Sequence, residues 1–456
     1  MNTYIVVGVI LVGIVALLAT NKKLVETLKN IYKIEELRSR ILFTLGLLLI
    51  YRLGSFVTLP GVDHAVLQQW TQNFASDSSS LMGLLNIFSG GAFSQASIFA
   101  LGVMPYITAS IIIQLLGIMV PYFRKMQREG ESGRRRMNQW TRFLTIAVLL
   151  LQAPAYLATQ VISSGAVSVT GDFLGITNGQ FIVPAVIILI AGTMFIMWLG
   201  EKITDKGIGN GISLIIMIGI VARLPQSFLQ EFMFQTTGGG SIIMLLVELI
   251  FLALVFMLAI AIVQAVRKIP VQYAKRIVGN KQYGGVRQYI PLKLNAANVM
   301  PIIFAQALMF IPGLIWGGQW LDITSFWYNF TLVVLVIAFT YFYTAIIVNP
   351  QMMADDMKRN GGFIPGVKPG KSTVSYIDDI MTRITLPGSV FLAIITILPA
   401  IAMTLGITQG FAYFFGGTSL LIMVGVVLDT LKQIESYLLM RHYDGLMKTG
   451  RIQGRY

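Results

Sequence analysis

Long apolar runs alternate with short polar, mostly basic stretches along the chain. Ten of the runs have the length and composition of membrane-crossing helices: 41–56, 98–120, 143–163, 181–199, 209–224, 242–266, 296–315, 331–348, 384–403 and 413–431. The expected fold class is an all-α polytopic membrane protein. A further run, 4–19 (YIVVGVILVGIVALLA), precedes them and is followed by Lys22 and Lys23. It reads as a signal-anchor, an extension or a fused segment. It lacks the basic n-region and cleavage context of a removed signal peptide.

The second run has an unusual entry. Gly90 and Gly91 break the chain just before it. At 1.5 Å per residue, 98–120 spans roughly 34 Å, slightly more than the hydrocarbon thickness. Pro105 is expected to kink this helix near its middle. Ser97, Thr108, Ser110 and Gln114 give it a surface suited to close approach by another helix, and Gln114 is costly against lipid alone.

Charge fixes the orientation. The basic residues concentrate in 22–40, 124–142, 201–206, 267–293, 358–383 and the tail after Leu431, whereas the alternate loops carry chiefly Asp63, Asp77, Asp172, Glu231 and Asp322. The positive-inside rule puts both ends of the ten-span unit in the cytoplasm. Topology thereby accounts for most of the net charge of +14.

Two long loops, the first basic and the second balanced in charge, exceed what a connection needs. Residues 267–293 hold seven basic residues and no acid, interleaved with Tyr273, Tyr283 and Tyr289. Gly284 and Gly285 predict the turn of a protruding hairpin that can meet an anionic partner. Residues 349–383 contain FIPGVKPG, the pattern of a fixed turn, and are expected to dock a partner. A third loop, 128–142, carries Arg134, Arg135 and Arg136, explained by topology and lipid headgroups.

Candidate chemistry is sparse. With no Cys and only His64 and His442, there is no disulfide framework, and zinc or His-based catalysis is nearly excluded. Inside spans, Arg52, Glu248 and Asp429 are the notable charges, and each must pair, snorkel or line water. No mid-depth charge cluster suggests ion coupling.

From about residue 24 onward the sequence resembles the SecY family of protein-conducting channels. The resemblance rests on YRLGSFVTLPGVD (51–63), NIFSGGAFSQASIFALGVMPYITASIIIQLL (86–116), EGESGRRRMNQWTR (129–142), GTMFIMWLGEKITDKGIGNGISLII (192–216), PLKLNAANVMPIIFA, FYTAIIVNPQMMADDMKRNGGFIPGVKPGKST and FGGTSLLIMVGVVLD. It implies two pseudo-symmetric five-helix halves around an hourglass pore, with a lateral gate between spans two and three on one side and seven and eight on the other.

By motif position, the resemblance implies a pore ring of Val103, Ile107, Ile212, Ile216, Ile303 and Ile422. The plug is carried over to 84–95, with Asn86, Phe88, Ser89, Gly90 and Gly91, and the lateral gate to Pro105, Ser110, Gln114 and Asn298. Partner docking falls to Lys275, Arg276, Lys281, Arg287 and Lys368. The implied partners are SecE, SecG, the motor ATPase SecA, the translating ribosome, signal sequences with nascent chains, and membrane lipid. No cofactor, no DNA and no enzymatic step are implied, and the implied location is the bacterial cytoplasmic membrane. The chain then divides into 1–21, a half with spans one to six at 22–265, the basic loop 266–295, spans seven to ten at 296–431, and a tail at 432–456.

Some positions depart from the family pattern. Lys368 stands where Arg is usual, losing the planar fork. Val103 is smaller than the usual Ile, and Glu248 interrupts a span expected to be apolar. The rival reading from another class is a ten-span secondary transporter with broken helices around a small solute. An intramembrane enzyme finds no paired acid, metal triad or Ser-His arrangement to support it.

Overall fold

The computed structural model describes residues 34–63, 65–67, 86, 89–167, 178–237, 241–273, 276–278, 281–283, 287–316 and 322–449. The apolar run within 1–21, Phe88 and Lys275 lie outside the described residues.

Helices dominate, because each apolar run must satisfy its own backbone in hydrocarbon. In chain order they are α1 (Glu35–Gly54), α2 (Met104–Met119), α3 (Pro121–Arg128), α4 (Glu131–Tyr156, continued by a π-helical turn, Leu157–Ile162), α5 (Asn178–Lys206), α6 (Gly211–Thr237) and α7 (Ile242–Gln264). After a strand region come α8 (Met300–Trp316), α9 (Phe326–Ile347), α10 (Pro350–Arg359), α11 (Lys371–Thr404), α12 (Gln409–Ala412) and α13 (Gly417–Thr449). Among the described residues, seven helices are long and apolar enough to cross a membrane, and α2 with α3, bent by 100°, makes an eighth. Helices α1 and α8 occupy the remaining two predicted positions.

Two compact units emerge from the residue contacts. One holds the chain through Leu229 together with the part of α13 from Val426, and the other holds Gln230–Gly425. The boundary between the units precedes the sixth span. Helices α1, α2, α4, α5 and α6 form the spans of the first unit. Helices α7, α8, α9, α11 and the first part of α13 form those of the second.

In the first unit, the predicted kink at Pro105 is replaced by a helix start. Helix α2 begins at Met104, and Pro105 sits in its first turn, where a missing N–H costs nothing and a fixed φ suits the helix. Residues 97–103 are a non-helical lead-in. Ile98 N–H donates to Val57 O (2.9 Å), Leu59 N–H to Ala96 O (2.9 Å) and Phe99 N–H to Ser97 Oγ (3.1 Å). Two glycines make room for it. A Cβ on Gly192 of α5 would lie 2.1 Å from Ile98 O, and one on Gly54 of α1 would lie 2.1 Å from the Phe99 ring.

In the second unit, the helix predicted to end at 224 runs on to Thr237 and buries Glu231, which the sequence placed in an external loop. Gln235, one turn later, donates from Nε2 to Glu231 Oε1 (2.9 Å) and to Glu248 Oε1 (3.0 Å). Glu231 Oε2 also accepts from the Thr408 N–H (2.8 Å) and hydroxyl. Glu248 is thus tied to α6 through a shared amide. The outward face of α7, with Ile243, Leu246, Ile250 and Met257, is exposed and apolar.

Substituting Gly192→Ala is expected to lower stability by about 1–3 kcal/mol, since the Ile98 carbonyl cannot yield. Gly46→Ala, on α1 with nothing within 4 Å of the added carbon, is expected to be neutral or slightly stabilising. Thermal unfolding in detergent compares the two.

Candidate functional site

Within the first unit, residues 89–96 form a chain of turns folded against α1, α4 and α6. Two features fix its downstream end. Phe93, Ala96 and Ala100 join a buried cluster with Leu59, Tyr156, Leu157 and Leu189. Tyr156 of α4 packs its ring against Phe93 in a tilted arrangement, with centroids 4.8 Å apart, and donates its hydroxyl to Phe93 O (2.7 Å). Ala96 takes a left-handed φ of 46°, a conformation that costs a non-glycine residue of order 1 kcal/mol.

The upstream end carries a set of polar contacts. Ser89 Oγ accepts from Phe93 N–H (3.0 Å), and Asn86 Oδ1 accepts from Ser94 N–H (3.2 Å). Arg52 of α1 donates to Gly90 O (2.8 Å), and Arg223 of α6 donates to Asn86 Oδ1 (3.0 Å) and Ser94 Oγ (3.2 Å). Gly90 and Gly91 have φ of 64° and 96°. Side chains there are excluded twice over: a Cβ on Gly90 would lie 2.9 Å from Gly219 Cα, and one on Gly91 would lie 2.7 Å from Arg223 Nη2. Motif position pointed to Asn86, Ser89, Gly90 and Gly91, but not to Arg223, which reads only as a cation near the end of an apolar run.

Four of the residues assigned to a pore ring belong to the first unit. Val103 immediately precedes α2 and accepts from Ile107 N–H (3.1 Å), while Ile212 and Ile216 lie on the first two turns of α6. In the second unit, Ile303 lies in the first turn of α8 and Ile422 in the second turn of α13. Val103, Ile216 and Ile422 are buried, and Ile107, Ile212 and Ile303 are half-buried. Among the lateral-gate residues, Gln114 donates to Ser110 Oγ one turn earlier on α2 (3.3 Å), which satisfies part of its amide within the helix. Asn298 stands in the turn before α8 with φ 52°.

The second unit carries the docking region, and here the two long loops form one body. Strands β1 (Val266–Tyr273) and β4 (Arg287–Lys293) pair antiparallel, from Val266 with Lys293 to Gln272 with Arg287. Strand β5 (Gly362–Phe363), from the other loop, adds to the free edge of β1. Ile269 and Val271 alternate onto one face of β1 and, with Leu292, meet Met357 of α10, Ile364, and Ile377 and Met381 of α11. This small core makes the two loops a single platform. Strands β2 (Arg276–Val278) and β3 (Lys281–Tyr283) extend the hairpin, with Val278 opposite Lys281.

Gly284 and Gly285, where the sequence places the turn, lie outside the described residues. Arg276, Lys281 and Arg287 lie on β2, β3 and β4. Lys368 is exposed in the turn before α11, and its carbonyl is held by the Thr373 hydroxyl (3.0 Å). Gly366 and Gly370 supply positive φ on either side.

These features define a multi-span membrane protein with a seated polar segment leading into one span and a structured platform between others. A family model described as SecY matches residues 97–431. The chain belongs to the SecY family. A relative from Streptomyces galbus, called protein translocase subunit SecY, is 42% identical over 438 residues, covering 91% of this chain and 98% of its own. Two solved structures share the fold at lower identity. One, described as the structure of a protein-conducting channel, is 19% identical with a TM-score of 0.61, covering 92% of this chain and 95% of its own. The other, Sec61 in the canine ribosome–channel complex, is 18% identical with a TM-score of 0.57 and the same coverage.

Tyr156→Phe keeps the ring contact with Phe93 and removes only the hydroxyl donated to Phe93 O. It is expected to cost about 1 kcal/mol, or somewhat more because that carbonyl is buried, in thermal unfolding of the purified protein.

Proposed function

We propose that this protein is the pore-forming subunit of a translocase, conducting unfolded secretory chains across a bacterial cytoplasmic membrane and releasing apolar helices sideways into lipid. The observation that carries the reading is the segment 86–96. It is anchored at one end in a permanent core and held at the other by a few polar bonds, which suits a plug that leaves its seat and returns. The aliphatic residues Val103, Ile107, Ile212, Ile216, Ile303 and Ile422 would form a ring that excludes ions by dewetting and deforms around a passing chain. Pro105, Ser110, Gln114 and Asn298 would face the route by which a signal sequence reaches lipid.

On this reading the chain makes and breaks no covalent bonds, and the driving free energy comes from a partner. The platform around β1, β4 and β5 would receive the translating ribosome or the motor SecA. Its uncompensated basic hairpin suits a polyanionic surface, and such binding weakens with salt. SecE and SecG would complete the membrane complex.

Reconstitution with SecE, SecG, SecA, ATP and a presecretory protein tests the reading through protease-protected product. Absence of product where an established channel is active would overturn it. Replacing Ile107 and Ile216 together with Ser is expected to raise ion leak severalfold in planar bilayers, and unchanged conductance would remove them from the ring. Lys281→Glu combined with Arg287→Glu is expected to weaken ribosome or motor binding by about tenfold or more at low salt. Unaltered affinity would make the hairpin a passive loop.

A further inference from the structure

We infer that Arg223 is the positioning residue that sets how firmly the plug is held. The inference rests on the plug reading above. One nitrogen of Arg223, Nη2, reaches both Asn86 Oδ1 and Ser94 Oγ, so it closes the segment between two residues eight positions apart in sequence. Asn86 Oδ1 also receives the Ser94 backbone N–H, and the three groups form a closed set.

Arg52 holds the same segment at Gly90 O, but it has other ties as well. Its guanidinium lies 4.7 Å from the centre of the Phe56 ring, and it is within 3.5 Å of Ser55 Oγ. These contacts stay in place when the segment moves. Every hydrogen bond described for the Arg223 side chain goes to the segment itself. The position of Gly91 reinforces this dependence, because a side chain there would collide with the Arg223 guanidinium.

The acceptors are all neutral: a backbone carbonyl, a side-chain amide and a hydroxyl. Among the described residues, the ion pairs are made elsewhere, and neither Arg52 nor Arg223 meets a carboxylate. A charged donor on a neutral acceptor gives a bond stronger than an ordinary one but weaker than a desolvated ion pair. When the segment leaves, nothing anionic remains behind unpaired, and water can solvate the freed guanidinium. Arg223 thus provides a hold that is firm at rest and releasable. A carboxylate at position 86 would preserve both hydrogen bonds to Oδ1 and convert this hold into an ion pair.

The test uses the full chain in its reconstituted membrane complex and reads resting and signal-peptide-triggered ion conductance. Removing one charge-assisted contact should raise resting conductance by about tenfold in Arg223→Gln. Arg223→Lys should lie between that variant and the parent. Asn86→Asp should reduce triggered opening below the parent, and that reduction should vanish when Arg223→Gln is present. A purely structural role for Arg223 predicts no such tightening. Unchanged resting conductance in Arg223→Gln overturns the inference, as does an Asn86→Asp effect that is the same in both backgrounds. Deletion of 86–94 separates the two levels. If deletion raises conductance while Arg223→Gln does not, the plug stands and only the role of Arg223 falls. If deletion leaves conductance unchanged, the plug reading falls and the inference with it.

Discussion

Backbone that leaves a helix inside a membrane protein must find its hydrogen-bond partners on the protein, since hydrocarbon offers none. The lead-in to α2 meets that constraint through Val57 O, Ala96 O and the Ser97 hydroxyl, and it does so in a slot opened by Gly54 and Gly192. The placement of the rest of the first unit's external side follows. With the lead-in fixed, Phe93 and Ala96 are drawn into the cluster around Tyr156, and the two glycines beyond them come to lie beside Arg52 and Arg223. A conventional helix through 98–120 would have carried this segment away from both arginines.

Buried polar groups in the second unit are organised by a comparable economy. The Gln235 amide donates to one oxygen of each of two carboxylates, Glu231 and Glu248, and accepts the Ser241 N–H through its oxygen (3.2 Å), while the second oxygen of Glu248 stays buried without a partner. Glu231 in turn holds the backbone and hydroxyl of Thr408. Gln235 and Glu231 together thereby tie the end of α6 to the start of α7 and to the turn after α11. Leaving any of these oxygens unpaired in a buried site costs more than the bond itself contributes.

Much of the fold was legible in the sequence, because apolar runs of the right length have few alternatives in lipid. Each of the ten predicted spans overlaps a helix, and both long loops carry strands. What escaped has a common cause in tertiary packing. Pro105 looks the same in sequence whether it kinks a helix or begins one, and only the slot beside Gly192 decides. Glu231 reads as a loop acid until Gln235 and Thr408 are found beside it. The joining of the two long loops could have been suspected from Ile269 and Val271, alternate positions whose shared apolar face needs a cover. Asn86, Ser89, Gly90 and Gly91 were found by resemblance to a motif. Arg223 was not, because its role depends on a neighbour 137 positions away.

Helix α11 gives the platform a mechanical connection. It runs without interruption from Lys371, at the edge of the small cytoplasmic core, to Thr404, four residues before the Thr408 that Glu231 holds. Its 34 residues make a strut about 51 Å long at the usual helical rise. Load applied at the FIPGVKPG turn passes along that strut rather than dissipating in a loop. Pro387 and Pro399, each lacking a backbone donor, mark the places where it can flex. The stiffness of this one helix then sets how closely a displacement of its first turn is followed at its last.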